Sequence, residues 1–200
     1  QQEMGGFLRT VVPSLVDRYG SVNATAAVTY YEEQRLAWLN SPAAKRYQDT
    51  RRAAQRVASA RTSAALYVAT IPTFNAPQIS EPIIGQGMKT FMATGFETMT
   101  ADVTRAMTRA VASYNRDTML YNASLDEAVY AVQRVAEPNA CGFCQLVAFE
   151  SARVTTEEGV RTASYAIDFH NNCKCSIETL YIGDRPIRPD YYDEFERNYA

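Results

Sequence analysis

FHNNCKC, residues 169–175, holds the only histidine of the chain and two of its four cysteines, and the other two stand in NACGFCQ, residues 139–145. A chain otherwise empty of both residue types has placed all five in its last third. The pattern is C-x2-C, then residues 145–169, then H-x2-C-x-C. A C-x2-C pair bends both sulfurs towards one ion, and on a strand Cys173 and Cys175 point to the same face. The candidate zinc ligands are therefore Cys141, Cys144, His170, Cys173 and Cys175. Structural zinc takes four ligands, so one of the five is spare or sits behind the others. Three other readings use the same residues. The cysteines form one or two disulfides in oxidising surroundings. A cysteine and His170 form a nucleophile–base pair, oriented by Asp168 or the two asparagines. Or the four thiols are small core hydrophobes, a reading against which their clustering argues.

Around this motif the sequence reads as a small α+β unit. AVYAVQRVAE (128–137) alternates enough for a strand, and QLVAFESA (145–152) suits a short helix. A polar loop containing Gly159 follows. CKCSIETLYIG (173–183) predicts a second strand and RPDYYDEFERNYA (188–200) a closing helix. The core of such a unit is thin, which gives a metal clip a physical task.

The preceding residues read as helical. Phe7, Leu8, Val11, Val12, Leu15 and Tyr19 recur at helical spacing, with Pro13 a possible kink and Gly20 a plausible end. Ser21 or Asn23 caps a second helix to about Asn40, and Pro42 suits the first turn of a third. IPTFNAPQISEPIIGQG (71–87) has three prolines and two glycines and reads as a connector loop. Its apolar residues, Ile71, Phe74, Ile79, Ile83 and Ile84, either pack on their own helices or lie in a partner's groove. A helix is predicted from about Met88 to Tyr114, striped by Phe96, Met99, Val103, Met107, Val111 and Tyr114. The expected fold class is α+β: a mostly helical part, 1–126, followed by a Cys/His-pinned α+β module, 127–200.

Composition narrows the function. The chain has 200 residues, 46% hydrophobic and 21% charged, with net charge −2. That gives a sizeable core and no global basic field for nucleic acid. No apolar run approaches the ~20 residues of a membrane helix, and the start lacks a secretory pattern. A chain starting at Gln1 is expected to be trimmed, processed or the ordered part of a longer product. Lys45, Arg46, Arg51, Arg52, Arg56 and Arg61 make a local basic run. It is read first as a solvated helix face, then as a contact for an acidic partner or packaged DNA. There is no P-loop, GxSxG, HExxH or pair of carboxylates at diagnostic spacing.

RVAEPNACGFCQLVA (134–148) followed by FHNNCKCSIETLY (169–181) resembles the C-terminal module of the phage Mu F-like head morphogenesis proteins, minor capsid proteins of tailed phages. Cys141 and Cys144 match that family's first pair. His170, Cys173 and Cys175 match its closing element, with Asn171 where proline is frequent and Lys174 where arginine is frequent. The resemblance covers about residues 128–185. It implies a structural, binding role in head assembly near the portal, and contact of the helical part with portal or major capsid protein. It also implies a place in the virion, reached through the host cytoplasm during assembly, and a zinc-pinned module without enzymatic activity. The alternatives are a capsid maturation protease using a Cys/His site and a zinc-binding interaction domain unrelated to phages.

Overall fold

The computed structural model describes residues 2–48, 67–153, 173 and 175–199. The fold is mostly helical with one small antiparallel sheet, an α+β protein as expected. In chain order the elements are α1 (Gln2–Leu39), α2 (Ala76–Thr94), α3 (Phe96–Leu125), β1 (Val129–Ala136), α4 (Gly142–Arg153), β2 (Cys175–Tyr181) and α5 (Tyr192–Tyr199). A further helical segment covers 42–48, where the Ala44 N–H donates to the Ser41 hydroxyl at 3.2 Å, an N-cap. Among the described residues no helix is long and apolar enough to cross a membrane.

The chain forms two compact units. Among the described residues, the first comprises 2–27 and 71–118 with Cys173, and the second comprises 28–48, 67–70, 119–153 and 175–199.

In the first unit the core joins Leu8, Val12 and Val16 of α1 to Ile83 and Ile84 of α2 and to Met99, Val103 and Tyr114 of α3. Two sequence expectations are corrected here. The first is the helix end at Gly20, because α1 continues through it. A Cβ on Gly20 would lie 2.6 Å from the Tyr114 ring, so this glycine serves close helix packing rather than termination. Pro13 also lies inside α1, where Val12 and Val16, both essentially buried, anchor the turns around it.

The second correction concerns 71–87, read as a loop. From Ala76 onward it is helix. The Asn75 side chain accepts from the Gln78 N–H at 3.1 Å, and Pro77 sits in the first turn, where its missing N–H costs nothing. Ala76, Ser80, Ile83, Ile84, Gly87 and Thr90 form the buried stripe. Phe74, just before the helix, stacks on Tyr114 at 3.9 Å between centroids. Four of the connector's five apolar residues therefore pack within their own unit, while Ile71 is exposed. The helix expected over Met88–Tyr114 is in turn broken at Gly95, whose φ of 91° suits glycine and whose N–H closes α2 on the Phe91 carbonyl at 3.1 Å. Phe96, assigned above to the apolar stripe, is exposed.

Gly20→Ala tests the close approach. The methyl meets the rigid Tyr114 ring, and such overpacking costs about 1–3 kcal/mol, more than the helix propensity gained. Urea unfolding should show a lowered midpoint at unchanged slope, and a stabilised variant would show that the ring yields.

In the second unit β1 pairs antiparallel with β2, from Val129↔Tyr181 to Ala136↔Cys175, with an irregularity between Val129 and Ala131. Tyr181 stacks on Trp38 at 5.3 Å, and Ala44 and Ala128 complete that cluster. The Trp38 indole donates to the Ile182 carbonyl at 3.1 Å. Where α3 turns into β1, Asp126 accepts from Arg35 Nε at 2.7 Å, from the Tyr31 hydroxyl at 3.2 Å and from the Ala128 N–H at 3.0 Å. Fully buried Asn122 clamps Thr70, accepting from its N–H and donating to its carbonyl, both at 2.8 Å. Gln133 clamps Ile187 in the same way, both bonds at 2.7 Å. Each amide gives an extended segment the pairing a neighbouring strand would give. α4 packs on β1 and α5.

Candidate metal centre

Cys141 precedes the first residue of α4, and its carbonyl accepts from the Gln145 N–H at 2.9 Å. It is therefore the N-cap residue, and Cys144 is the third residue of the helix. Of this C-x2-C pair, Cys144 is buried and Cys141 is exposed. A tight turn delivers the chain there: the Ala140 N–H donates to the Glu137 carbonyl at 3.0 Å. The Gln145 side chain holds the turn by donating to the Ala140 carbonyl at 2.8 Å.

Cys175 opens β2 opposite Ala136, the last residue of β1. That rung is fixed from outside by α5. The Tyr192 hydroxyl accepts from the Ala136 N–H and the Tyr191 hydroxyl donates to the Ala136 carbonyl, both at 2.9 Å. Burial raises the pKa of both phenols, and nearby charge adds to it, Glu137 and Cys175 on Tyr191 and Tyr191 and Cys175 on Tyr192. They therefore keep their protons across the physiological range. Cys173 lies two residues before Cys175, and its carbonyl accepts from Arg116 Nη2 at 3.2 Å.

The outcome is a cluster: the sulfurs of Cys144, Cys173 and Cys175 lie within 4.8 Å of one another. Cys144 is fully buried, Cys175 buried and Cys173 half-buried. Cys141 is exposed and stands outside this group, and His170 lies outside the described residues. The four cysteines form no disulfide, so the disulfide reading lacks its bond.

The donor set fits a divalent soft ion. Zinc bonded to sulfur at about 2.3 Å in a tetrahedron separates two sulfurs by roughly 3.8 Å, inside the 4.8 Å within which the three sulfurs lie. A fourth donor is available from Cys141, one helical turn from Cys144, or from His170, three residues before Cys173. Cysteine thiols are ligand types that zinc takes.

Sequence reasoning missed the supports of this site. Gln133 and Arg134 are both fully buried in β1, and the sequence signal was two polar residues inside an otherwise apolar strand. In the basic run, Lys45 and Arg46 are exposed, and Arg51, Arg52, Arg56 and Arg61 lie outside the described residues. A separate cleft of about 330 Å³ in the second unit is lined by Gln34, Ala37, Trp38, Ser41, Thr179, Tyr181 and Asp184 and contains no cysteine.

One family model, described as VG15 protein, matches the chain over residues 1–200. No curated protein and no solved structure matches it.

Proposed function

The chain belongs to the VG15 protein family, a viral family, and from that premise we propose that it is a minor capsid protein of a tailed phage, of the Mu F-like kind. Its work is binding rather than catalysis. The observation that supports the reading is the gathering of Cys144, Cys173 and Cys175 within 4.8 Å, three of the five residues on which the resemblance rests. In this reading Cys144, Cys173 and Cys175 hold zinc, with Cys141 or His170 as the fourth ligand. Bound zinc supplies a cross-link between the start of α4 and the start of β2. With a fourth protein ligand the site would be closed, and zinc there would hold shape rather than do chemistry. The helical part would dock on portal or major capsid protein inside the virion, with the Lys45–Arg61 run as a contact for packaged DNA.

Two measurements test this. Elemental analysis of the reduced, purified protein should give one zinc per chain, and bare thiols or S–S bonds would overturn the metal assignment. Pull-down with portal and major capsid proteins from the same phage should retain the chain on one of them, and capture by neither would remove the docking role.

A further inference from the structure

The cleft of the second unit is built from Gln34, Ala37 and Trp38 of α1, Ser41 just after it, Thr179 and Tyr181 of β2, and Asp184 in the turn that follows. Its walls are held in place. The turn is closed in both directions: the Asp184 N–H donates to the Tyr181 carbonyl at 2.8 Å, and the Tyr181 N–H donates to Asp184 Oδ2 at 3.0 Å. Gly183, at a φ of 93°, lets this turn approach the 42–48 segment, since a Cβ there would lie 2.8 Å from that of Ala43.

The N–H donors of the lining side chains are committed, and oxygens remain. The Trp38 indole donates to the Ile182 carbonyl. Gln34 gives its amide N–H to Glu178, whose carboxylate only accepts, so the Gln34 carbonyl oxygen is the end left over. That oxygen is buried and has no hydrogen-bond partner among the described residues. The same holds for the hydroxyl oxygen of Thr179, a residue only 5% exposed. A buried polar atom left unpaired costs about 1–3 kcal/mol. Asp184 is exposed, and among the described residues it enters no ion pair. The two buried oxygens call for a ligand that brings N–H groups, and the carboxylate favours one that also brings positive charge.

We propose that this cleft binds an arginine side chain presented by another protein. A guanidinium carries five N–H donors in one plane and accepts none, so it serves oxygens of α1, β2 and the turn together. It is also more weakly hydrated than an ammonium, so it enters a cleft at less cost. Ala37 and Trp38 offer apolar surface to the methylene stem. A volume of about 330 Å³ is at the small end of the ~300–1,000 Å³ of ligand pockets, which suits one side chain rather than a large molecule. The assignment goes beyond the capsid reading and does not depend on which residues hold metal.

The test uses the full chain and N-acetyl-arginine methylamide as the probe. Trp38 is the only tryptophan of the sequence and lines the cleft, so its fluorescence reports occupancy. The probe should give a saturable change. The matching citrulline compound, of the same shape without the charge, should bind about 10-fold more weakly, as should the lysine compound. Asp184→Asn keeps an acceptor for the Tyr181 N–H and loses the charge, and should weaken the probe by about 10-fold. Thr179→Val keeps the shape and removes the hydroxyl. It should also weaken the probe, while its urea midpoint stays at or above the parent's, because an unpaired buried hydroxyl is gone. A merely structural threonine would do the reverse, lowering the midpoint and leaving probe affinity unchanged, and that result overturns the proposal. So does a parent without a saturable response, parental affinity in both variants, or a citrulline or lysine compound that binds as well as the arginine one. Free arginine binding 10-fold tighter than the blocked form would make the ligand a small metabolite and overturn the protein-borne source.

Discussion

In Cys144→Ser, zinc is expected to fall from one per chain to none after dialysis, and the second unit is expected to lose its cooperative unfolding transition. Cys144 is fully buried in the cluster, and serine is a poor zinc ligand. Structural zinc contributes about 10–16 kcal/mol to zinc-finger peptides, against total stabilities of about 5–15 kcal/mol for ordinary domains. Losing even half of such a term removes the margin of a unit whose sheet has only two strands. The first unit should survive, because its core of Leu8, Val12, Val16, Ile83, Met99 and Tyr114 contains no cysteine. Circular dichroism should therefore keep a large part of the helical signal. Hydrogen exchange should show protection retained in 1–27 and 71–118 and lost in 129–199. Loss of protection everywhere would mean that the two units unfold as one. Unchanged stability in a zinc-free variant would mean that the cysteines are packing residues.

Asp126→Ala should destabilise the second unit by about 3–5 kcal/mol, the usual loss when one partner of a buried ion pair is removed. The Asp126 side chain is 3% exposed and that of Arg35 17%, so water does little to replace the lost contact. The same carboxylate accepts from Tyr31 and caps the turn into β1 through the Ala128 N–H, so the Ala128 N–H loses its acceptor and Tyr31 keeps only the longer bond to the Asn122 carbonyl at 3.4 Å. Urea unfolding measures the loss. Combining Asp126→Ala with Arg35→Met should cost less than the sum of the single changes by about 1–3 kcal/mol. Additive effects would show that the pair contributes nothing beyond its separate neighbours.

The sequence carried the metal motif more plainly than it carried the helices. Cys144, Cys173 and Cys175 stood among the five candidates that spacing singled out, while which of the five meet depends on long-range packing that spacing does not carry. The strands at 129–136 and 175–181 were readable because their side-chain pattern is local. The helix at 76–94 was hidden because half of its buried stripe is small residues, Ala76, Ser80 and Gly87, and Pro77 and Pro82 interrupt the pattern. Prolines dominate a loop reading, yet one sits in the first turn and the other on the exposed side. Gly20 misled in the opposite direction, since a glycine that admits a tyrosine ring looks the same in sequence as one that ends a helix. The supports of the site, Gln133, Tyr191 and Tyr192, depend on contacts across some 55 residues, which no local pattern reveals.

The two tyrosine bonds at Ala136 have a consequence for self-association. A two-stranded sheet has two open borders, and an open border invites another copy's strand to add on, the route to fibrous aggregates. At Ala136 both main-chain groups are already taken by the hydroxyls of Tyr191 and Tyr192, and three residues earlier the Gln133 amide holds the Ile187 backbone beside the strand. An incoming strand would have to displace α5 and the segment before it. At the Ala136 end of β1 the border is thereby closed to a strand from another copy.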